Sequence, residues 1–419
     1  MPYYLPVSPL PGSDSSQTVG GGFAGTAGES SGFRYGFFED IVNWVELVLP
    51  SGEVVNASRR EHADLFHAVA GSFGTIAVTT LLELRLIAAK TYVELTYHPT
   101  DSFESAIETM RLACDVGDTD YVDGILFAKD RGVIITGQLT DEPSPGTKVQ
   151  GFSKATDPWH YIHVERLTRG RIEPVKVATP LEDYLFRYDR GAFWTGAYAY
   201  SYFFTPFNRV TRWALDYFMH TRVMYHALHA SRHSRQYIIQ DLLLPEDSVE
   251  DFLAFVDAEF GLYPLWLCPF RLKKELALRP RLSSSREKEN GKDRLFINVG
   301  VWGPGSRDYP RFVVQNRRLE QKVRKLGGVK WLYAQAYYTQ EEFDEIYDRQ
   351  WYDDMRKKYN AEHLPTVFEK TRVDTKSTTW DTRTWKGWAF NMVWDIWPIS
   401  GLYGVYKTVV GRDYLLAKP

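Results

Sequence analysis

The sequence predicts an α+β fold in which a glycine-rich, nucleotide-binding portion is followed by an antiparallel sheet carrying helices on one face. Three observations lead there. Residues 18–36 read TVGGGFAGTAGESSGFRYG, a glycine, threonine and serine run that is poor in Lys and Arg. Apolar residues alternate at period two in a series of short runs from about residue 41 onward. Between those runs lie segments with helical spacing, opened by Ser or Thr caps and closed by glycine.

The loop comes first. With so few charged side groups, it would hold a phosphate through backbone N–H donors, and a dinucleotide pyrophosphate is the matching ligand. Glycines 20, 21, 22, 25 and 28 are expected to adopt positive φ and let the backbone approach that ligand, with Thr18, Thr26, Ser30 and Ser31 adding hydroxyls. The spacing is not the G-x-G-x-x-G of a nicotinamide-binding strand–turn–helix, and no long apolar strand precedes it. The glycines alone would equally suit a flexible tether. Glu29 would repel phosphate and is expected to point outward.

The following segments argue against a tether. IVNWVELVL (41–49) sets Val45, Leu47 and Leu49 on one face, and Pro50-Ser51-Gly52 turns the backbone into EVVNAS, making a hairpin. Ser58 and Glu61 have the spacing of a capping box for a helix that turns Leu65 and Val69 inward. Gly71-Ser72-Phe73-Gly74 breaks that helix and feeds the strand IAVTTLLELRLI.

From about Lys90 the pattern is strand and helix in alternation. YVELTYHP is a strand, and Ser102 caps a helix with Phe103, Ala106, Ile107 and Met110 on one side. DGILFA and VIITGQ form a hairpin. After a less regular aromatic stretch (140–235), RQYIIQDLLL is a strand, followed by a helix bearing Val249, Phe252, Leu253, Val256 and Phe260 and ending at Gly261. YPLWLC and LFINVGVW are strands. A helix from Phe312 to Leu326 stops at Gly327-Gly328, and Thr339 with Glu342 caps another that carries Phe343, Ile346 and Tyr347.

Composition narrows the partners. Among 419 residues the net charge is −3, so no basic excess argues for nucleic acid. Cys114 and Cys268 are too few and too far apart for a disulfide scaffold and suit a reducing compartment. His226, His229 and His233 share one helical spacing and His160 pairs with His163. No cysteine or carboxylate completes a ligand set, and Arg222, Arg232 and Arg235 oppose a cation, so no metal is assigned. The aromatic content, 15% with 13 Trp and 26 Tyr, fits a heavily packed core or a pocket for a bulky, lipid-like substrate. The tail from Thr375 crowds Trp380, Trp385, Trp388, Trp394 and Trp397 around Asp395 and Pro398. It reads as a membrane-interface segment or as a strap on its own domain, not as a spanning helix.

The order of loop, hairpin, helix, Gly-Ser-Phe-Gly turn and strand resembles the latter half of a vanillyl-alcohol-oxidase-type (PCMH) FAD-binding domain. The closer resemblance is to the Δ24-sterol reductase (Diminuto, or seladin) family of FAD-dependent enzymes. It rests on Thr18, Val19, Gly20, Gly21, Thr26, Gly28, Glu29 and Ser30, on Tyr35-Gly36, and on DLFHAVAGSFGTIAV (64–78). FRYDRGAFW (186–194), IIQDLLLP (238–245), YPLWLCPFRL (263–272) and INVGVWGPG (297–305) extend it in family order to about residue 370. The resemblance implies an α+β fold of three parts: the carboxy-terminal part of an FAD-binding domain at 1–90, an antiparallel-sheet cap or substrate domain at 91–372, and the Trp-rich tail at 373–419.

By the same resemblance, FAD would meet Thr18, Val19, Gly20, Gly21, Gly22, Phe23, Ala24, Gly25, Thr26, Ala27, Gly28, Glu29 and Ser30, together with Gly71, Ser72, Gly74, Ile76 and Val78. Tyr188, Asp189 and Arg190 are the candidate catalytic residues, and Trp194, Tyr263 and Trp266 the candidate substrate walls. NADPH would be the electron donor, an isolated C=C bond in the tail of a sterol the target, and the endoplasmic reticulum membrane, facing the cytosol, the location; the alternatives are a truncated non-catalytic remnant or binding partner, and a flavoenzyme acting on another terpenoid substrate. Family members place a βαβ segment and a hydrophobic anchor ahead of the loop, which here begins near Met1. The expectation is an amino-terminally truncated flavin domain, from a late gene-model start or a true truncation, and a cytoplasmic location if the anchor is truly absent.

Overall fold

The computed structural model describes residues 3–4, 18–272, 278, 280, 288–289, 292–375, 394 and 396–411. Two antiparallel sheets organise it. The smaller has the strand order Val54–Ser58, Val42–Val48, Val78–Leu84. Its central strand buries Val45 and Leu47 completely, as the alternation requires. The hairpin turn takes Gly52 at φ 86°, a conformation that favours glycine.

The larger sheet has eight strands in the order Val329–Lys330, Tyr237–Pro245, Leu295–Pro304, Leu265–Arg271, Tyr121–Ala128, Arg131–Thr140, Tyr92–Thr100, Val175–Pro180. Every pairing between these strands is antiparallel. Helices Phe103–Asp115, Glu246–Phe260 and Tyr309–Lys325 cover one face. Met110, Phe252, Leu253, Val256 and Leu319 meet Leu265, Leu267, Val299 and Val301 there, in an aliphatic core. The alternate residues Trp266, Cys268, Phe270 and Trp302 face the other way, into a second core shared with Phe23, Phe37, Phe38 and Ile41 of the loop region. Period-two alternation thus sends one strand into two chemically different layers.

The other face is also covered, contrary to the simple expectation of helices on one face. The aromatic stretch supplies helices His160–Thr168 and Thr195–Tyr202 and lays Trp159, Tyr184, Tyr188 and Trp194 into the second core. A sheet buried on both sides favours apolar residues along its strands, and Leu265–Phe270 and Leu295–Trp302 are buried throughout, with Asn298 the polar exception, bonded to Asp241.

Capping occurs where expected at Ser102 and Thr339, each accepting a hydrogen bond from the amide three residues on. Ser58 differs. Its hydroxyl accepts from the Arg60 and Glu61 amides in a local turn, and the helix starts later, at Ala63–Val69, still burying Leu65 and Val69. In the tail, Ile399–Gly411 is a helix packed on Thr221–Ala230, with Gly404 against the Ala227 carbonyl. Trp380, Trp385 and Trp388 lie outside the described residues.

Candidate active site

The loop is a short helix followed by a tight bend. Val19–Ala24 is helical, with the Thr18 hydroxyl accepting from the Gly21 amide. The glycines at 20, 21, 22, 25 and 28 do not take positive φ; in this stretch Thr26 does, at 56°. At Gly28 the lack of a side group serves close approach instead, as it does at Gly32. A Cβ at Gly28 or Gly32 would come within 2.5 or 2.3 Å of the Phe270 ring. Glycine therefore lets the loop lie flat on the sheet.

Neighbours fix the loop from two sides. The amides of Gly71 and Phe73 donate to the carbonyls of Phe23 and Ala24, bringing the Gly-Ser-Phe-Gly turn against the first glycine helix. Within that turn the Ser72 hydroxyl donates to Val69, Ile76 is fully buried, and Gly74 takes φ 70°. Arg356 and Tyr352 bond Thr75 from behind. The Val122 amide donates to the Ser30 carbonyl at 2.7 Å, tying the loop to the large sheet. The outward side, with Thr18, Val19 and Gly21, is exposed, and so is Val78.

At the inner end of the loop lies a buried charge cluster. Glu29 is only 3% exposed, turned inward rather than outward, and pairs with Arg187 at 2.8 Å. Arg187 also meets Asp123 at 3.0 Å. Asp123 Oδ2 further accepts from the Tyr188 hydroxyl at 2.8 Å and from Trp266 Nε1 at 3.3 Å. The guanidinium stacks on Tyr184 at 4.1 Å and on Tyr188 at 4.6 Å, and the Tyr184 hydroxyl bonds Ser30 Oγ. Burial opposes the Arg187 charge, but Glu29, Tyr184 and Asp123 outweigh it and hold the group cationic. Burial, with the Asp123 charge, pushes the Tyr188 hydroxyl well above its ordinary value. Burial, reinforced by Arg187, keeps His160 neutral at the edge of Tyr188.

The other sequence candidates fall around this cluster. Tyr188 stacks on Phe193 at 4.0 Å, and Phe193 contacts Trp266 and Trp302. Trp194 donates to the Trp302 carbonyl at 3.1 Å. Asp189 instead bonds His220 and the Thr221 amide. Arg190 bonds Asp216 and the carbonyls of Ala155 and Asp157, bracing a loop. Tyr263 sits away from the cluster, with its hydroxyl on Asp257. Among the described residues no group of three His, Cys, Asp or Glu is arranged to hold a metal ion.

Asp123 and Arg187 escaped the sequence reading. The legible signal for Asp123 was an acid at period two between the inward Tyr121 and Ile125. Arg187 stood inside the segment already singled out, one residue before Tyr188. Sequence alone gives no way to pair it with Glu29, 158 positions earlier.

Thr26 Oγ1 and Asp123 Oδ1 are buried without a hydrogen-bond partner among the described residues, and a Cβ at Gly20 would meet nothing within 4 Å. Open valences inside and open space outside suit a polar ligand lying along the loop. The fold and loop define a PCMH-type flavin-binding oxidoreductase, and the FAD binding domain family matches residues 3–58. The Delta(24)-sterol reductase of Homo sapiens is 31% identical over 361 residues, covering 84% of this protein and 67% of the human one. A Delta(24)-sterol reductase homolog of Caenorhabditis elegans is 31% identical over 390 residues, covering 88% and 71%, and the Arabidopsis thaliana reductase is 29% identical, covering 82% and 65%. The protein belongs to the Δ24-sterol reductase family.

Proposed function

We propose that this protein is an FAD-dependent reductase of an isolated C=C bond in the tail of a sterol or related lipid, with NADPH as electron donor, working at the cytosolic face of the endoplasmic reticulum membrane. The names of its relatives support the reaction class. The observation that carries the reading is the meeting of loop and sheet at Arg187, where Glu29 and Ser30 of the flavin loop join Asp123, Tyr188 and Trp266.

FAD, when bound, supplies a hydride to one alkene carbon. The protein's own residues do the rest. Residues 18–30 offer amides and hydroxyls to the cofactor, and Gly71, Ser72, Gly74, Ile76 and Val78 form the backbone shelf beside them. An isolated alkene is not polarised, so its second carbon needs a proton from a placed acid. Tyr188 is the acid of this reading: its hydroxyl, which donates to Asp123 at rest, would turn to the alkene, and the Arg187 guanidinium over its ring would balance the tyrosinate left behind. Asp189 and Arg190 position its segment. Trp194 and Trp266, with Phe193 and Trp302, keep water from the reacting carbons, and Tyr263, bonded to Asp257, takes no part in that wall.

The test uses the 419-residue protein. Incubated with FAD and gel-filtered, it should be yellow, bleach with NADPH without oxygen, and add two hydrogens to an unsaturated sterol by mass. Tyr188→Phe should lower kcat at least about a hundredfold, on the order expected for lost acid catalysis, with FAD binding kept. A colourless protein that takes up no FAD would overturn the reading in favour of a non-catalytic relative that keeps the cap fold as a binding partner.

A further inference from the structure

One side of the molecule concentrates exposed apolar side groups. Helix Ile399–Gly411 turns Ser400, Gly401, Gly404 and Thr408 inward, and on its outer side Leu402, Tyr406 and Val410 are 54%, 59% and 59% exposed. Phe204, 78% exposed, packs edge-on against the ring of Trp397 at 4.9 Å. The Trp397 indole donates to the Tyr202 carbonyl, so this pair is fixed. Val210, Trp213, Tyr217 and Tyr225 extend the exposed apolar surface along the neighbouring helices. Exposed apolar groups of this aromatic content, gathered on adjoining helices, are uncommon on a freely dissolved monomer.

Its charge is net positive. Residues 199–235 and 394–413 hold Arg209, Arg212, Arg222, Arg232, Arg235, Lys407 and Arg412 against three carboxylates, Asp216, Asp395 and Asp413. Asp216 is turned inward to Arg190 and His220. Lys407 and Arg209 are exposed. Behind the helix lies an apolar cavity of about 180 Å³, lined in part by Tyr202, Met224, Leu228, Ile239 and Val405. No helix among the described residues is long and apolar enough to cross a membrane. At 1.5 Å per residue, the 13 residues of Ile399–Gly411 span about 20 Å, short of a ~30 Å hydrocarbon layer. Tyr and Trp at such a surface, with cations outnumbering acids, match the boundary of an anionic bilayer.

We propose that this face docks on an anionic lipid bilayer, with helix Ile399–Gly411 lying in the interface and the cavity behind it receiving the apolar part of a lipid that leaves the membrane. This deepens the sterol reading and rests on it only for the identity of that lipid. Docking itself needs neither flavin nor turnover.

Co-sedimentation of the 419-residue protein with vesicles of phosphatidylcholine, or of phosphatidylcholine with phosphatidylserine, tests it. Binding should favour the anionic vesicles by about tenfold or more and weaken with salt. The triple variant Leu402→Asp/Tyr406→Asp/Val410→Asp should bind at least about tenfold less at an unchanged melting temperature. Arg209→Glu/Lys407→Glu should remove the anionic preference, and Leu112→Asp, on an exposed site of helix Phe103–Asp115, should change nothing. Wild-type protein that ignores both vesicles, or a triple variant that binds as well as wild type, overturns the proposal. So does a wild-type dimer that the triple variant dissociates without any vesicle binding, which would assign the face to a second copy. Vesicle binding by a flavin-free, inactive protein would sink the reductase reading and leave docking intact.

Discussion

On one face of the eight-stranded sheet, Leu265, Leu267, Val299 and Val301 meet Phe252, Leu253 and Val256 with no charge among them. On the other, one residue along the same strands, Trp266 bonds into a cluster of a buried arginine and two carboxylates, and Trp302 stacks on Trp266. The aliphatic face gains from every methylene it hides, about 25 cal/mol per Å². The aromatic face hides charges, whose desolvation opposes folding and is offset only while each charge keeps its partners. The first kind of layer holds a fold together. The second is stable enough to persist and polar enough to do chemistry.

Removing one member of the charge cluster should therefore cost the most. Arg187→Met leaves Glu29 and Asp123 buried without their cation, and chemical denaturation should show a loss of about 3–5 kcal/mol. The triple variant Glu29→Gln/Asp123→Asn/Arg187→Met should recover much of it, because no uncompensated charge remains. If the single variant costs less than the triple, the two carboxylates are not held by Arg187, and the contrast between the faces fails.

The aliphatic face should respond more gently and more locally. Leu253 is fully buried between helix and sheet, and Leu253→Ala should cost about 3 kcal/mol through lost burial and the cavity left behind. Cofactor binding should not change, since the substitution lies across the sheet from the loop. A Leu253→Ala protein that loses FAD while staying folded would show that the two layers are not separable.

This contrast also explains what the sequence reveals. The aliphatic layer follows from short-range rules, and its residues, Val249 through Val256 on one helix and the alternating leucines of YPLWLC, are legible from spacing alone. The loop's position beside the Gly-Ser-Phe-Gly turn is legible too, since both belong to one family pattern. Its conformation is not. Glycines invite positive φ, yet here Gly28 and Gly32 make room for Phe270, a partner more than 230 residues away. Glu29 reverses its expected direction for the same reason. An acid beside a phosphate loop reads as outward only until a distant arginine supplies a buried partner.

The smallest effect concerns the exposed end of the segment that delivers Arg187 and Tyr188. Asp189, Arg190, Asp216 and His220 form a partly solvated ion network that anchors this segment to the helix Thr221–Ala230. Hydrogen bonds to Asp189 and Asp216 raise the His220 imidazole to about 9. A folded-state value above the unfolded one means that the stabilisation is fully present below about pH 6.5 and is lost as pH rises through about 9. His220 is about one-third exposed, so solvent screens the effect, and it should be far smaller than that of the buried cluster. Melting temperatures of wild type and His220→Gln measured from pH 6 to pH 10 should converge as the imidazole loses its proton. A difference that stays constant across that range would mean that His220 is neutral in the folded protein, and that the segment is held by Arg190 and the Thr221 amide alone.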